Sequence, residues 1–490
     1  MRIKFGTDGW RAIIAKEFTV ENVARVAEGT AKWLLKLHPD SYRDSNEEVN
    51  SSSRAQPRDF KPSVVVGHDC RFGGELFAET VTKVLAQNGI KVFLAKGFVS
   101  TPMISLAAVQ YKTDIGVIIT ASHNPPAYNG FKLKGSYGGP LTPSKVAEIE
   151  NLIPEKSSAE LENKSVNDYV KEGLVEYVNL EDDYIRHVEK NFDLEAIRNS
   201  GLNLAYDAMY GSGMNVIKRL FPKITMLHCD YNPGFMGQAP EPIDKNLNEF
   251  RELIKARKNI DCGLVTDGDA DRIGMYDGNG NFVDSHHIIL LLIHYLVKYK
   301  GMTGKVCTAF STTPKVNKMC AHYGLPVEVV KIGFKYICEI MINEDVLLGG
   351  EESGGIAIKG HIPERDGIWM GLVIWEFMAK SGKKLPELIK EVYDIVGAFS
   401  FERNDLHLKQ EVMDKIVKNT AANVYKAFGK YTVKRIEDLD GYKYFFDDTN
   451  TEWLLIRASG TEPVLRTYAE STSRENAFAI LKAAEQTLLS

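Results

Sequence analysis

Cysteine is scarce in this chain. Its six cysteines, Cys70, Cys229, Cys262, Cys307, Cys320 and Cys338, are scattered over 490 residues without a C-x-x-C pair. That spacing excludes a disulfide framework and a cysteine zinc site, and it points to a reducing, cytoplasmic setting. Long apolar runs are also missing. The greasiest stretches, IILLLIHYLV and GIWMGLVIWEFMA, are too short to cross a bilayer and are interrupted by His294 and Glu376, so both are expected as core helices and no membrane is expected as a partner. The opening MRIKFGTDGW has no apolar signal-peptide region. Positive charge is not in excess either: 60 Lys and Arg stand against 65 Asp and Glu, a formal charge of -5. A nucleic-acid partner, which would need a basic face, is therefore not expected. What is present, 44% hydrophobic and 26% charged residues, is the composition of an ordinary globular protein. A chain of this length exceeds one core, so several domains are expected.

A divergent repeat organises most of the chain. SVVVGHDCR leads into the helical GGELFAETVTKVLAQNG, then the strand IKVFLAKG, and later the strand and loop DIGVIITASHNP. LNLAYDAMYGSG, MNVIKRLF, KITMLHCD and CGLVTDGDADR repeat that order, as do KVCTAFSTT, PKVNKMCAHYG, LPVEVVKIG and VLLGGEESGG. The irregular spacing excludes a solenoid, whose period is fixed. Strands alternating with helices imply mainly parallel, doubly covered sheets with ligands outside the carboxyl ends of the strands. From GAFSFERNDL onward the pattern changes to a long polar helix, KQEVMDKIVKNTAANVYKAFG, then shorter strands, the strand and loop WLLIRASGTEP, and a final helix, SRENAFAILKAAEQTLL. The expected fold is thus α/β: three similar α/β domains with mixed, mainly parallel sheets and a smaller C-terminal α+β domain around a central cleft. The expected boundaries are 1–178, 179–297, 298–395 and 396–490. The segment 38–62, polar and nearly free of aliphatics, reads as a solvated loop or disordered insertion.

Four strand-end loops carry chemistry. In TASHNP, Ser122 lies beside His123 at the end of an apolar strand, and could be a nucleophile, a phosphate carrier or a turn residue, since Ser, His, Asn and Pro all favour turns. In DGDADR, Asp267, Asp269 and Asp271 alternate on a tight loop, which suits a hard divalent cation such as Mg2+. Without a cation such clustered carboxylates repel one another. An EF-hand is excluded, because Arg272 and Gly278 stand where its Gly and Glu belong. In RASGTEP, Arg457, Ser459, Gly460 and Thr461 could clamp a phosphate by charge and N–H or O–H donors, or form a plain turn. In GGEESGG, Glu351 and Ser353 suit sugar hydroxyls, or are merely solvated.

In this order the four motifs resemble the α-D-phosphohexomutases, the phosphoglucomutase/phosphomannomutase family, over nearly the whole chain. FGTDGWR, NGFKLK, HIPERDG and IGFKYI reinforce the likeness. The resemblance implies that Ser122 is the phosphorylated serine, with His123 its loop neighbour. It makes Asp267, Asp269 and Asp271 the Mg2+ ligands together with an oxygen on Ser122, and puts Arg272 beside the transferring phosphoryl group. Glu351 and Ser353 become sugar-hydroxyl readers, and Arg457, Ser459, Gly460 and Thr461 the clamp on the unreactive phosphate. Arg11 and Lys132 match basic active-site positions, and Lys335 the lysine of the glucomutase branch. Two departures stand out. Gly355 occupies the place of the acid/base histidine of members carrying SGH, which leaves His361 or Lys132 for that role, and Ala12 replaces the glycine usual after FGTDGWR.

The implied reaction interconverts hexose 1-phosphate and hexose 6-phosphate, glucose first and mannose also, through phosphoserine and a hexose 1,6-bisphosphate that doubles as primer. The partner is a small sugar phosphate. Monomer and dimer are both compatible with the sequence. The phosphoglucosamine branch of the family is an alternative. A haloacid-dehalogenase-type phosphatase with Asp267 as nucleophile is a further rival, but it would leave Ser122, Glu351 and Arg457 idle.

Overall fold

The computed structural model describes residues 2–39, 61–458 and 464–490. The expected insertion at 38–62 lies, except at its ends, outside the described residues. Two compact units result: Met1–Asp284 with Met341–Asn343 and Ser353–Leu385, and Ser285–Ile340 with Glu344–Glu352 and Pro386–Ser490.

All three expected repeats form, with one strand order. Ser63–His68 lies between Lys91–Ala95 and Ile115–Ile119, parallel to both. Leu204–Asp207 lies likewise between Thr225–Leu227 and Cys262–Thr266, and Lys305–Ala309 between Val327–Val330 and Val346–Gly350. In each the chain leaves the first strand to one side and returns on the other, so a crevice opens at the carboxyl ends of the first and third strands. The loops of Ser122, Asp267 and Glu351 all follow third strands. Antiparallel neighbours, Tyr128–Gly135 in the first sheet and Ile273–Asp277 in the second, make the sheets mixed.

The strands read as unbroken apolar runs because both faces are covered. Val64, Val65 and Val66 are all fully buried, as are Ile115, Val117, Ile118 and Ile119. The two greasy stretches are core helices as expected, Ser285–His294 and Gly367–Ser381. Asp366 caps the second, its carboxylate accepting from Trp369 N at 2.9 Å.

The C-terminal domain is a five-stranded antiparallel sheet. Met413 and Ile416 from one helix, and Ile480, Leu481 and Ala484 from another, pack on its Leu454, Ile456 and Leu465. The long polar helix expected here is shorter. It spans Gln410–Ala421; Asn423 turns left-handed at φ 53°, and Ala427–Phe428 pairs with Tyr431–Thr432 as a hairpin. Asn tolerates that conformation, and propensity alone does not reveal the stop.

Glu470, on the strand Val464–Ser471, is wholly buried near Lys443 and Lys315. Burial pushes its carboxyl up to about 7, against the pull of Thr313, Lys315 and Lys443. The folded protein therefore keeps this proton at pH values where the unfolded chain has lost it, and stability falls as pH rises from the ordinary carboxyl range to about 7. Glu470→Gln is expected to leave the thermal midpoint at pH 5 unchanged and to raise it at pH 8, by roughly 2–4 °C per kcal/mol relieved. Calorimetry at the two pH values checks this, and an equal shift at both would rule out the buried carboxylate as its source.

Candidate active site

Ser122 sits at the carboxyl end of Ile115–Ile119 with a left-handed backbone, φ 53°. Strain of this kind in a non-glycine residue persists only where its surroundings over-determine it. Here Ser122 N donates to Thr120 Oγ1 at 2.9 Å, and Thr120 Oγ1 donates to the buried Asp69 at 2.5 Å. Ser122 Oγ donates to Asp267 Oδ2 at 2.7 Å and lies 3.4 Å from His123 Nδ1. The structure thus joins the first two motifs through one hydrogen bond.

The acidic loop follows Cys262–Thr266 and turns at Ala270, which is also left-handed. Asp267, Asp269 and Asp271 are fully buried, and one oxygen from each lies within 4.8 Å of the others. Asp267 Oδ1 accepts from the backbone N–H groups of Asp271 and Arg272 at 3.0 and 3.1 Å. Asp269 Oδ2 accepts from Lys132 Nζ at 2.8 Å and Thr101 Oγ1 at 2.5 Å. Asp271 Oδ2 faces Lys132 Nζ at 3.2 Å and Arg365 at 2.9 Å. Asp269 Oδ1 and Asp271 Oδ1 are buried with no hydrogen-bond partner among the described residues. Unpaired buried carboxylate oxygens are costly, and all the donors are hard oxygens. The residues present therefore fit a divalent cation of the Mg2+ type. Burial, then the charges of Asp269 and Asp271, raise the Asp267 carboxyl well above its usual range. At Asp269 burial acts in the same sense, but Lys132 and Thr101 outweigh it and hold the carboxyl low.

Asp8, from FGTDGWR, gathers the cations. Its carboxylate lies 2.8 Å from Lys132, 2.6 Å from Arg365, 3.8 Å from Lys134 and 3.9 Å from Arg11. Arg11 also donates to Asn124 Oδ1 at 2.6 Å, on the turn that carries Ser122. Lys134 pairs with Glu364 at 2.7 Å, and Ser105 donates to the same carboxylate. Burial opposes a charge on Lys132, but Asp269, Asp271 and Asp8 overcome it and raise its pKa, so the amine is a caged cation here. Arg272 has a buried, unpartnered Nε and lies 3.9 Å from Glu241. The backbone of its loop is braced by Gly367, where a Cβ would stand 2.2 Å from Arg272 O.

His361 is not brought into this cluster. Its ring stacks on Trp369 with centroids 3.8 Å apart, Nε2 meets Asp366 at 3.0 Å and Nδ1 meets His187 at 3.3 Å. The residue of HIPERDG that reaches the carboxylates is Arg365. Asp8, Thr101, Lys134, Glu364 and Arg365 were not singled out from the sequence, although four of the five lie within motifs quoted above.

In the second unit, Glu351 Oε1 accepts from Gly333 N at 3.0 Å, two residues before the half-buried Lys335 on the helix Phe334–Met341. The adjacent Ile332 N donates to Asp440 Oδ2 at 2.8 Å, and Asp440 Oδ1 accepts from Arg457 Nε at 3.1 Å. Glu351 and Arg457 are therefore linked through the segment Ile332 and Gly333, which immediately precedes the helix that carries Lys335. Ser353 is half-buried and falls in the first unit. Ser459, Gly460 and Thr461 lie outside the described residues.

Four family models match in chain order, each described as phosphoglucomutase/phosphomannomutase. They are alpha/beta/alpha domain I at residues 46–160, domain II at 182–280, domain III at 284–396, and the C-terminal domain at 409–485. The chain belongs to the phosphoglucomutase/phosphomannomutase family. A phosphoglucomutase/phosphomannomutase of Thermococcus kodakarensis is 30% identical over 479 residues, 96% of this chain and 95% of its own. A phosphoglucosamine mutase of Methanococcus maripaludis is 31% identical over 440 residues, 87% of this chain and 91% of its own. A solved structure of a putative phosphomannomutase from Thermus thermophilus matches all of both chains with TM-score 0.83 and 32% identity. The Paramecium phosphoglucomutase parafusin, at 19% identity and TM-score 0.80 over 99% of this chain and 94% of its own, shares the fold. As a member of the phosphoglucomutase/phosphomannomutase family, the chain is a phosphohexomutase, an intramolecular phosphotransferase. No helix among its described residues is long and apolar enough to cross a membrane.

Proposed function

We propose that the protein interconverts glucose 1-phosphate and glucose 6-phosphate, and turns over mannose 1-phosphate as well, through phosphoserine at Ser122. The observation that carries this reading is Ser122 Oγ held 2.7 Å from Asp267 Oδ2, beside two carboxylates with unpaired buried oxygens. Asp267, Asp269 and Asp271 would hold Mg2+, with an oxygen of phosphorylated Ser122 as another ligand, and the ion would supply positive charge to the phosphoryl oxygens. Ser122 yields its phosphoryl group to the free hydroxyl of the sugar phosphate: the Oγ–P bond breaks as the new O–P bond forms. The hexose 1,6-bisphosphate then reorients and returns its other phosphoryl group to Ser122. A trace of the same bisphosphate primes the enzyme. Arg272 and Arg11 hold charge beside the transferring group. Glu351, Ser353 and Lys335 read the sugar, and Arg457 with Ser459, Gly460 and Thr461 holds the phosphate that does not react.

The sugar hydroxyl's proton goes to a base close to the acidic loop. Lys132 is the candidate; held as a cation by Asp269, Asp271 and Asp8, it would first have to give up its own proton, which engagement of those carboxylates by a bound cation would favour. His361 serves instead to hold the HIPERDG strap through Asp366. The scattered cysteines of the sequence, without a C-x-x-C pair, support a cytoplasmic setting.

Substrate choice follows from the two orientations that the bisphosphate must adopt. A site that reads O3 and O4 keeps its partners when the C1 and C6 ends exchange, because these hydroxyls are adjacent and equatorial in glucose and mannose. O2 has no such counterpart and has no obligatory partner. We expect kcat/KM for mannose 1-phosphate within roughly tenfold of that for glucose 1-phosphate, and galactose 1-phosphate, inverted at O4, to be much poorer. A coupled assay of the three sugars with a trace of hexose 1,6-bisphosphate tests this. Galactose on a par with glucose would show that Glu351 and Ser353 do not read O4. The name of the Methanococcus relative favours a second reading, glucosamine phosphate as substrate. A strong preference for that sugar in the same assay would establish it in place of glucose.

A further inference from the structure

One buried guanidinium outside the four chemistry-bearing loops, at the end of SVVVGHDCR, binds the underside of the serine turn. Arg71 has a fully buried side chain. Its Nη2 donates to Ser122 O at 2.6 Å and Asn124 O at 2.7 Å, and its Nη1 to Pro125 O and Tyr128 O, both at 3.0 Å. Four carbonyls of a single turn thus converge on one planar fork. Of these only the Ser122 carbonyl is wholly buried, and without the fork it would lose a partner that native backbones rarely leave out. The fork is itself held in place. Its Nε lies 3.4 Å from Asp69 Oδ2, and Asp69 Oδ1 accepts from Arg71 N at 2.9 Å. The same Asp69 accepts from Thr120 Oγ1, the group that receives Ser122 N–H.

A second, independent feature sits on the guanidinium. The ring of Phe235, 2% exposed, lies 5.0 Å from Arg71 Cζ. Phe235, Met236 and Gly237 are three consecutive left-handed residues, at φ 45, 52 and 80°. Two non-glycine residues in that region mark stored strain, and strain persists where the surroundings impose it. Phe235 comes from the domain that carries the acidic loop, so the stack ties that domain to the turn that carries Ser122.

We propose that Arg71, clamped by Asp69 and covered by Phe235, is the positioning residue that keeps Ser122 in its left-handed conformation with Oγ aimed at Asp267. This rests on the reading of Ser122 as the phosphoryl carrier. A group that gives up a phosphoryl, waits for the intermediate to reorient and takes another back must return to the same place both times. Errors of about 1 Å in such placement cost on the order of 100-fold. Arginine suits the task because its donors lie in a fixed plane, whereas a lysine offers three rotatable ones on a flexible stem.

The test uses the full chain phosphorylated with glucose 1,6-bisphosphate. Arg71→Lys keeps the charge and loses the fork. Its kcat is expected to fall about 100-fold while KM for glucose 1-phosphate stays within about threefold. Hydrolysis of the phosphoserine without sugar, followed by 31P NMR and intact mass, is expected to quicken about tenfold as the turn loosens. A residue that only supported the fold would lower the thermal midpoint without changing phosphoserine lifetime per folded molecule. Phe235→Leu keeps every donor and is expected to shift kcat and lifetime in the same directions by about fivefold. It decides the matter if Arg71→Lys does not fold. Turnover within twofold of the parent with unchanged phosphoserine lifetime, in Arg71→Lys or, failing that, in Phe235→Leu, overturns the proposal. A parent that turns over glucose 1-phosphate without ever carrying phosphate on Ser122 overturns both this proposal and the reading beneath it.

Discussion

Ser122→Ala is expected to lose at least about a thousandfold in kcat, since the hydroxyl would be the covalent carrier and not one contributor among several. The local geometry makes the experiment clean. Among the described residues Ser122 Oγ has polar contacts with Asp267 and His123, while the turn is held by backbone contacts to Thr120 and Arg71 that alanine retains. The fold is therefore expected to survive, with a thermal midpoint close to that of the parent. Alanine at a left-handed position adds strain, but serine bears the same strain already. Intact mass after incubation with glucose 1,6-bisphosphate should show an acid-stable adduct on the parent and none on the variant. Near-normal turnover by the alanine variant would refute the phosphoserine role, and an acyl phosphate found on Asp267 would move the chemistry to the acidic loop.

The second large effect is expected at Asp269. Its Oδ2 balances Lys132 and Thr101 while its Oδ1 has no partner among the described residues. Asp269→Asn removes one of the three charges that a divalent cation would need and weakens the cage around Lys132. The Mg2+ concentration giving half-maximal activity is expected to rise at least about 100-fold, with turnover falling alongside it. Calorimetric titration of Mg2+ into the unphosphorylated protein supplies a readout independent of activity. Lys132 keeps Asp8 and Asp271 as partners in the variant, so its thermal midpoint without metal is expected to fall only modestly. An Mg2+ titration that matches the parent would take Asp269 out of the ligand set.

The loops are legible in the sequence because their signals are local. A run such as DIGVIIT must be a covered strand, and the residues that end it, TASHNP, carry both the turn and the hydroxyl. DGDADR places its carboxylates by short-range alternation, so the metal-type cluster follows from spacing alone. The threefold succession of strand and helix along the chain is readable for the same reason: each repeat is written in consecutive patterns. Where local preference is nearly neutral, the sequence misleads. It extends the helix from Gln410 beyond Ala421 because nothing nearby forbids helix, and the hairpin at Ala427–Phe428 forms only against its neighbour strand.

What the tertiary structure alone decided is which partner each charge meets. Arg365 reaches Asp8 across 357 residues, and Lys132 reaches Asp269 across 137. No periodicity encodes such pairs. His361 and Arg365 lie four residues apart in one motif, and packing turns the first against Trp369 and the second toward Asp271. Arg71 follows a strand like an ordinary surface arginine, and only the closure of the serine turn over it shows four carbonyls converging on its guanidinium. The sequence by itself determined the family of loops and the residues that could do the chemistry, because backbone preference and hydrophobic pattern act over a few residues. The structure decided their geometry and charge state, because burial and long-range packing set how the desolvation cost of each ionised group is offset.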